Sequence, residues 1–138
     1  MNDHFLYTTF CIFLFYHLTE TQKTKSEQYI KNLGIIVSLG IIVTLILKKY
    51  DYLYLFHCLY ILYLVYVTII SKNINTIKLN IAMLLTIILT RIYSSKCILL
   101  KTNYPSQVKI NFNIIYVILL ITCLVKLNIK NQYIQTSK

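Results

Sequence analysis

Residues 52–71 read YLYLFHCLYILYLVYVTIIS, twenty positions without a charge, a glycine or a proline. A helix rises ~1.5 Å per residue, so this run covers roughly 30 Å, the thickness of a bilayer's hydrocarbon core. Its apolar residues are continuous rather than alternating with polar ones, which argues against a strand of a membrane barrel. Four shorter apolar runs flank it: FLYTTFCIFLFYHL at 5–18, LGIIVSLGIIVTLIL at 33–47, a run from Ile77 through LNIAMLLTIILT towards residue 95, and INFNIIYVILLITCLVKL at 110–127. Runs as short as the first two also occur as core helices of water-soluble proteins. Here too little polar sequence remains to cover five of them. Thinning of the bilayer, snorkelling of lysines and packing within an assembly all accommodate short spans. The expected fold is all-α, a single membrane domain over 1–138, a multi-pass transmembrane bundle of about five spans.

Composition agrees. Of 138 residues, 57% are hydrophobic and 13% charged, where a soluble domain carries roughly 25% charged residues. The acids are Asp3, Glu20, Glu27 and Asp51, all outside the long apolar runs. Ile, Asn, Lys and Tyr abound, while Ala, Gly, Pro and Arg are scarce; this is the usage of an AT-rich genome, as in organelles, some protists and some viruses. Part of the tyrosine and lysine content therefore reflects mutational bias. The net charge of +10 is spread between apolar runs. With no helix-turn-helix pattern, RNP motif or zinc finger, nucleic acid is not the expected partner.

The connecting segments are short. TETQKTKSEQYIKN at 19–32 suits a solvated helix start or a hairpin, SKNINTIK at 71–78 a turn, and KTNYPSQVK at 101–109, with Pro105, a break between spans four and five. Five spans place Lys23, Lys25, Lys31, Lys72, Lys78, Lys126, Lys130 and Lys138 on one side, and Lys48, Lys49, Lys101 and Lys109 on the other. The positive-inside rule turns the first set towards the cytoplasm or matrix. Asp3, the lack of early lysines and the lack of a small-residue cleavage site are wrong for a signal peptide. A hydrophobic organelle protein keeping this segment is expected to be made inside the organelle.

Arg91 is the only arginine. A membrane-embedded arginine costs roughly 2.5 kcal/mol or more at a helix centre and tends to be functional. The plainer reading, which we favour from sequence, sets Arg91 about a turn from the end of span four, reaching the interface beside Lys96. On the third run Tyr52, Tyr60, Tyr63 and Tyr66 fall within one arc of about 120°, with His57, Tyr54 and Tyr50 opposite. Arg91, Tyr60, Tyr63, Tyr66 and His57 are candidates for a proton path or an interface. In the second run Gly34 with Ser38, and Gly40 with Thr44, form two small-xxx-small pairs. Their six-residue offset, about 240°, turns them to two different partners.

The cysteines, Cys11, Cys58, Cys97 and Cys123, show no metal spacing and are expected as buried thiols. His17 and His57 lie on different spans, so haem ligation by the pair is conceivable. No phosphate loop, Ser/His/Asp set or paired intramembrane carboxylate appears. No catalytic residues, metal, cofactor or small-molecule substrate is expected, and the expected partners are lipids and other membrane subunits.

Two stretches resemble known families. LVYVTII at Leu64–Ile70 is similar to the Val-Tyr-Val-Gly-Ala-Ile stretch in the third helix of NADH dehydrogenase subunit 6. That resemblance implies five transmembrane helices, organelle coding and a place in the membrane arm of complex I, in the mitochondrial inner membrane. It departs at Thr68, where the family has the glycine that allows a helix irregularity tied to coupling. TRIYSS at Thr90–Ser95 is similar to the Arg-Leu-Phe-Ala-Asn stretch of ATP synthase subunit a, which would make Arg91 the arginine facing the rotor ring. Ser95 departs from the Asn. A respiratory-complex subunit is thus the leading expectation, an ATP synthase membrane subunit the second. An autonomous small transporter or haem-binding membrane protein is the third.

Overall fold

The computed structural model describes residues 3–94 and 112–136. They form five α-helices: α1 (Asp3–Thr19), α2 (Lys25–Ile46), α3 (Tyr50–Ile70), α4 (Ile74–Ser94) and α5 (Phe112–Thr136). The all-α bundle expected from the apolar runs is what is seen. Lys96, Cys97, Lys101, Pro105, Lys109 and Lys138 lie outside the described residues.

Each helix end has a local cause. Thr24, in extended conformation, caps α2 by accepting the Glu27 amide on Oγ1. Helix α2 thus begins eight residues before the apolar run, because Lys, Glu and Gln are good helix formers once a cap is present. At its other end the Lys49 amide donates to Thr44 O and the Lys48 amide to Leu45 O, with Lys48 at φ 53°. This is a Schellman turn with lysine in the left-handed position usually given to glycine. Ser71 ends α3 in extended backbone, and the Oδ1 of Asn73 accepts the amides of Asn75 and Thr76 to start α4. The 71–78 stretch is therefore a three-residue turn, and α4 begins earlier than its apolar pattern.

Helix α3 is the hub: it packs against α2, α4 and α5, while α2 also packs on α1 and α4 on α5. Two glycines set the closeness of α2. A Cβ on Gly34 would overlap the His17 ring of α1, and one on Gly40 would overlap the Phe56 ring of α3. Aromatic rings instead fill the wider gap between α1 and α3. Phe10 meets Tyr60 edge-on at 5.3 Å, and Phe13 meets Tyr63 edge-on at 5.2 Å.

The surface is inverted relative to a soluble bundle. His17, Glu27, Ser38, His57, Thr68, Ser71, Thr76 and Asn80 are buried, while Phe15 (67% exposed), Ile69 (64%) and Ile92 (74%) face outward. Threonines on the exposed faces bond back to their own helices, as in Thr8 to His4 O and Thr122 to Ile118 O, both 2.8 Å. A hydroxyl without water does this, since an unmet donor in hydrocarbon is costly. Four helices, α2 to α5, contain stretches long and apolar enough to cross a membrane. Helix α1, at 17 residues, spans only ~25 Å.

Candidate functional site

The polar side chains gather at three levels. At the end carrying the α1–α2 and α3–α4 turns, Glu27 is buried, only 4% exposed. Its carboxylate accepts from Ser71 Oγ (3.1 and 3.2 Å), the Lys72 amide (2.6 Å) and the Asn73 amide (3.1 Å). It therefore sits between the positive ends of two helices, in the first turn of α2 and beside the start of α4. On the other side of Ser71, Lys126 of α5 donates from Nζ to Thr68 O, Ile69 O and Ser71 O at 2.7, 2.8 and 3.1 Å. These are the terminal carbonyls of α3, which a cation satisfies. One acid and one lysine thus tie four helices to a single turn through Ser71. Nearby, Lys31 Nζ donates to Glu20 O, and Asn73 Nδ2 donates to Glu20 Oε1.

At mid-level Asn80 of α4 donates from Nδ2 to Thr68 Oγ1 (3.0 Å) and, at 3.4 Å each, to Leu64 O and Cys123 Sγ. Thr68 Oγ1 in turn donates to Leu64 O. Asn80 Oδ1 is buried with no hydrogen-bond partner among the described residues. On the opposite side of α3 the Tyr63 hydroxyl lies 3.0 Å from His17 Nε2, and Tyr16 Oη lies 3.2 Å from Thr76 Oγ1, joining α1 to α4.

Towards the other end a narrow slot runs between α1 and α4. Its sides are Phe5, Leu6, Thr9 and Phe10 of α1 and Met83, Thr86, Ile87, Thr90 and Arg91 of α4; its floor is His57 and Tyr60 of α3 with Tyr116 of α5. Its volume is about 40 Å³ and its walls are almost wholly apolar. The Arg91 guanidinium lies over the Tyr116 ring, 5.6 Å from its centroid, a cation–π contact.

Several expectations change. Arg91 is half-buried with its guanidinium over Tyr116, because α5 brings an aromatic face to its side of α4. His57 and Tyr60, placed on different arcs of α3, share the slot, since a three-residue step turns only about 60°. Tyr60 and Tyr63 are buried within this chain (2% and 0% exposed). They cannot meet other subunits, because Phe10, Phe13 and His17 of α1 already cover them. Tyr66 stays exposed, in a surface groove with Tyr29, Asn32, Leu33 and Ile36. His17 bonds to Tyr63, six residues beyond His57 and ~9 Å along α3. It does not line the slot, so among the described residues that cavity does not bring the two imidazoles together. Cys11, Cys58 and Cys123 are free thiols.

Comparisons with family models, with curated proteins and with solved structures give no match.

Among the described residues no cluster of His, Cys, Asp or Glu could hold a metal ion. Ser38 and Thr44, the partners of the two glycines, donate to Gly34 O and Gly40 O of their own helix, which leaves the glycine faces clear for α1 and α3. Sequence reading passed over Glu27, Lys126, Asn80 and the structural use of Thr68. A signal existed for one of them: Thr24-x-x-Glu27 ahead of an apolar run is a capping-box pattern. Its Thr half forms, but the Glu is diverted to a second helix. At Thr68 helix α3 is unbroken α-helix, and the hydroxyl gives Asn80 an acceptor that glycine lacks.

Proposed function

We propose that this chain is a small, non-catalytic membrane subunit of an organelle-encoded respiratory complex, packed among larger membrane subunits of the mitochondrial inner membrane. The membrane arm of complex I, in a position resembling that of NADH dehydrogenase subunit 6, is the first choice. The observation that carries this reading is the fixed polar frame around Ser71. The charges there, Glu27 and Lys126, are committed to backbone groups of this chain, which suits a packing element better than a carrier. The regular α3 through Thr68 favours a structural role over a coupling one within that complex. The exposed groove holding Tyr29 and Tyr66 is the natural seat for a neighbouring helix.

The ATP synthase reading ranks below it because Arg91 lies over Tyr116 inside the bundle, whereas a rotor-facing arginine would point outward. The test is native electrophoresis of source membranes in mild detergent, with mass spectrometry of each band. Co-migration with NADH dehydrogenase activity is the expected result. Co-migration with ATPase activity, or a small band without other proteins, would overturn it.

A further inference from the structure

A larger cavity lies at the end opposite the slot, where the α1–α2 and α3–α4 connections come together. Its volume is about 380 Å³, within the range of small-molecule pockets, which begins at about 300 Å³. Glu20, Gln22 and Lys23 line it from the first connection, and Lys72, Asn73 and Asn75 from the second and the start of α4.

The packing role uses only part of this chemistry. Glu27 also lines the cavity, but both of its oxygens are taken up, by Ser71 and by the amides of Lys72 and Asn73. Asn73 is fixed at every polar group: its amide donates to Glu27, and its Oδ1 accepts the amides that start α4. Its Nδ2 donates to Glu20 Oε1 (3.1 Å) and Gln22 Oε1 (3.3 Å), and Asn75 Nδ2 adds a longer bond to Glu20 Oε1 at 3.4 Å. The Glu20 carboxylate is thus held in the wall through one oxygen. Among the described residues its Oε2 accepts no hydrogen bond, and the ammonium groups of Lys23 and Lys72 donate none and pair with neither acid. A fixed wall therefore presents one carboxylate edge and two ammonium groups that do not neutralise one another.

Such a wall does not suit a simple anion, which the two acids repel, or a simple cation, which the two lysines repel. It suits a ligand with both charges: a cationic N–H for Glu20 and anionic oxygens for Lys23 and Lys72. Position narrows the ligand further. Four helix ends meet here, Thr19 of α1, Lys25 of α2, Ile70 of α3 and Ile74 of α4, so the cavity lies where the apolar spans reach water. Leu18, two residues before Glu20, and Ile70, two before Lys72, are exposed apolar side chains. A ligand with a hydrocarbon tail gains from such surfaces, and a tail-less zwitterion does not.

We infer that this cavity binds the headgroup of phosphatidylethanolamine, with its ammonium on Glu20 and its phosphate on Lys23 and Lys72. The inference is independent of which complex holds the chain.

The test uses the full chain, purified in a neutral detergent and stripped of lipid. Phosphatidylethanolamine, phosphatidylcholine and phosphatidylglycerol with identical acyl chains are titrated, and bound lipid is counted by native mass spectrometry. One phosphatidylethanolamine is expected to be retained about tenfold more tightly than phosphatidylcholine, whose quaternary nitrogen has no N–H to donate. Glu20→Gln is expected to remove that preference. It keeps an amide oxygen for Asn73 and Asn75, so the wall survives. Lys23→Gln combined with Lys72→Gln is expected to weaken both zwitterionic lipids by a similar factor, and those two ammonium groups hold nothing else in place. Lys49→Gln, in the turn at the other end, is expected to change nothing. Equal binding of phosphatidylethanolamine and phosphatidylcholine, tighter binding of phosphatidylglycerol than of phosphatidylethanolamine, an unchanged preference in Glu20→Gln, or full retention in the double lysine variant would each overturn the site. So would a loss in Lys49→Gln equal to that in the double variant, which would mean that positive charge anywhere suffices. Displacement of the lipid by an equal concentration of free phosphoethanolamine would overturn the lipid as the ligand.

Discussion

The two ends of this bundle handle charge in opposite ways. At the Ser71 end an acid and a lysine are each surrounded by backbone partners. Glu27 takes two amides and a hydroxyl, and Lys126 takes three carbonyls. At the Arg91 end the cation meets an aromatic face and the mouth of an apolar slot. Both arrangements keep charge out of hydrocarbon, and the first uses it on helix ends that have no partners of their own. The difference teaches how a small membrane protein with four acids can use one of them as a structural bolt. Helix termini are the cheapest counter-charges available, because their dipoles and unmet groups need a partner anyway.

The comparison breaks most visibly at Glu27. Glu27→Leu would leave the Lys72 and Asn73 amides without their acceptor and remove the tie between α2 and the α3–α4 turn. Loss of a buried charged acceptor costs about 3 kcal/mol or more, so thermal unfolding in detergent should fall by many degrees or the variant should fail to accumulate. A stability within error of the parent would show that the turn is held by packing alone. Arg91→Leu is the matched change at the other end. It costs at least about 1 kcal/mol, the worth of the cation–π contact with Tyr116, and a loss as large as that of Glu27→Leu would erase the contrast between the two ends.

Next in size is the glycine seam that both ends share. Gly34→Ala pushes a methyl into the His17 ring, which is fully buried and held by Tyr63. Overpacking of this kind costs about 2 kcal/mol. Gly40→Ala meets Phe56, which is only half-buried and can swing outward, so its cost should stay below about 1 kcal/mol. Equal melting temperatures for the two variants would refute the account of why α2 lies so close to α1. A smaller effect is expected at Lys126→Met, which keeps the aliphatic stem but frees the carbonyls at the end of α3. The loss is about 1 kcal/mol, and hydrogen exchange should quicken in the last turn of α3 ahead of the rest.

How much of this was legible from the chain depends on which coordinate is asked for. The axial coordinate was. Continuous apolar runs mark all five helices, and the inward pairing of Gly34 and Gly40 with different neighbours follows from 100° per residue. The azimuth was only half legible. Angles along α3 say that Tyr60, Tyr63 and Tyr66 share an arc, but not that α1 covers two of them and leaves Tyr66 outside. For Arg91, distance from the helix end suggested an interfacial anchor, while the deciding fact, that Tyr116 lies beside it, belongs to another helix. Glu27 looked solvated because it sits in a polar stretch. Its burial is a consequence of the three-residue turn at 71–73, a tertiary feature that no local pattern encodes. Lys126 read as one more charge of a basic tail for the same reason.

The smallest effect has the opposite sign and lies in the turn at the Arg91 end, where α2 hands over to α3. Lys48 adopts φ 53° there, a conformation that costs a residue with a Cβ roughly 1 kcal/mol and glycine almost nothing. Its amide and that of Lys49 complete the Schellman pair with Leu45 O and Thr44 O, so the turn is needed and the strain is tolerated for it. Lys48→Gly relieves the strain but loosens the unfolded chain, and the net gain should be about 0.5 kcal/mol. It also removes one of two adjacent positive charges. Lys48→Gln separates the two effects, since it removes the charge and keeps the strain. If the glycine variant melts higher than the glutamine variant, the left-handed residue is a real cost borne at this end of the molecule. If both move together, charge repulsion with Lys49 is the cause, and the turn itself is unstrained.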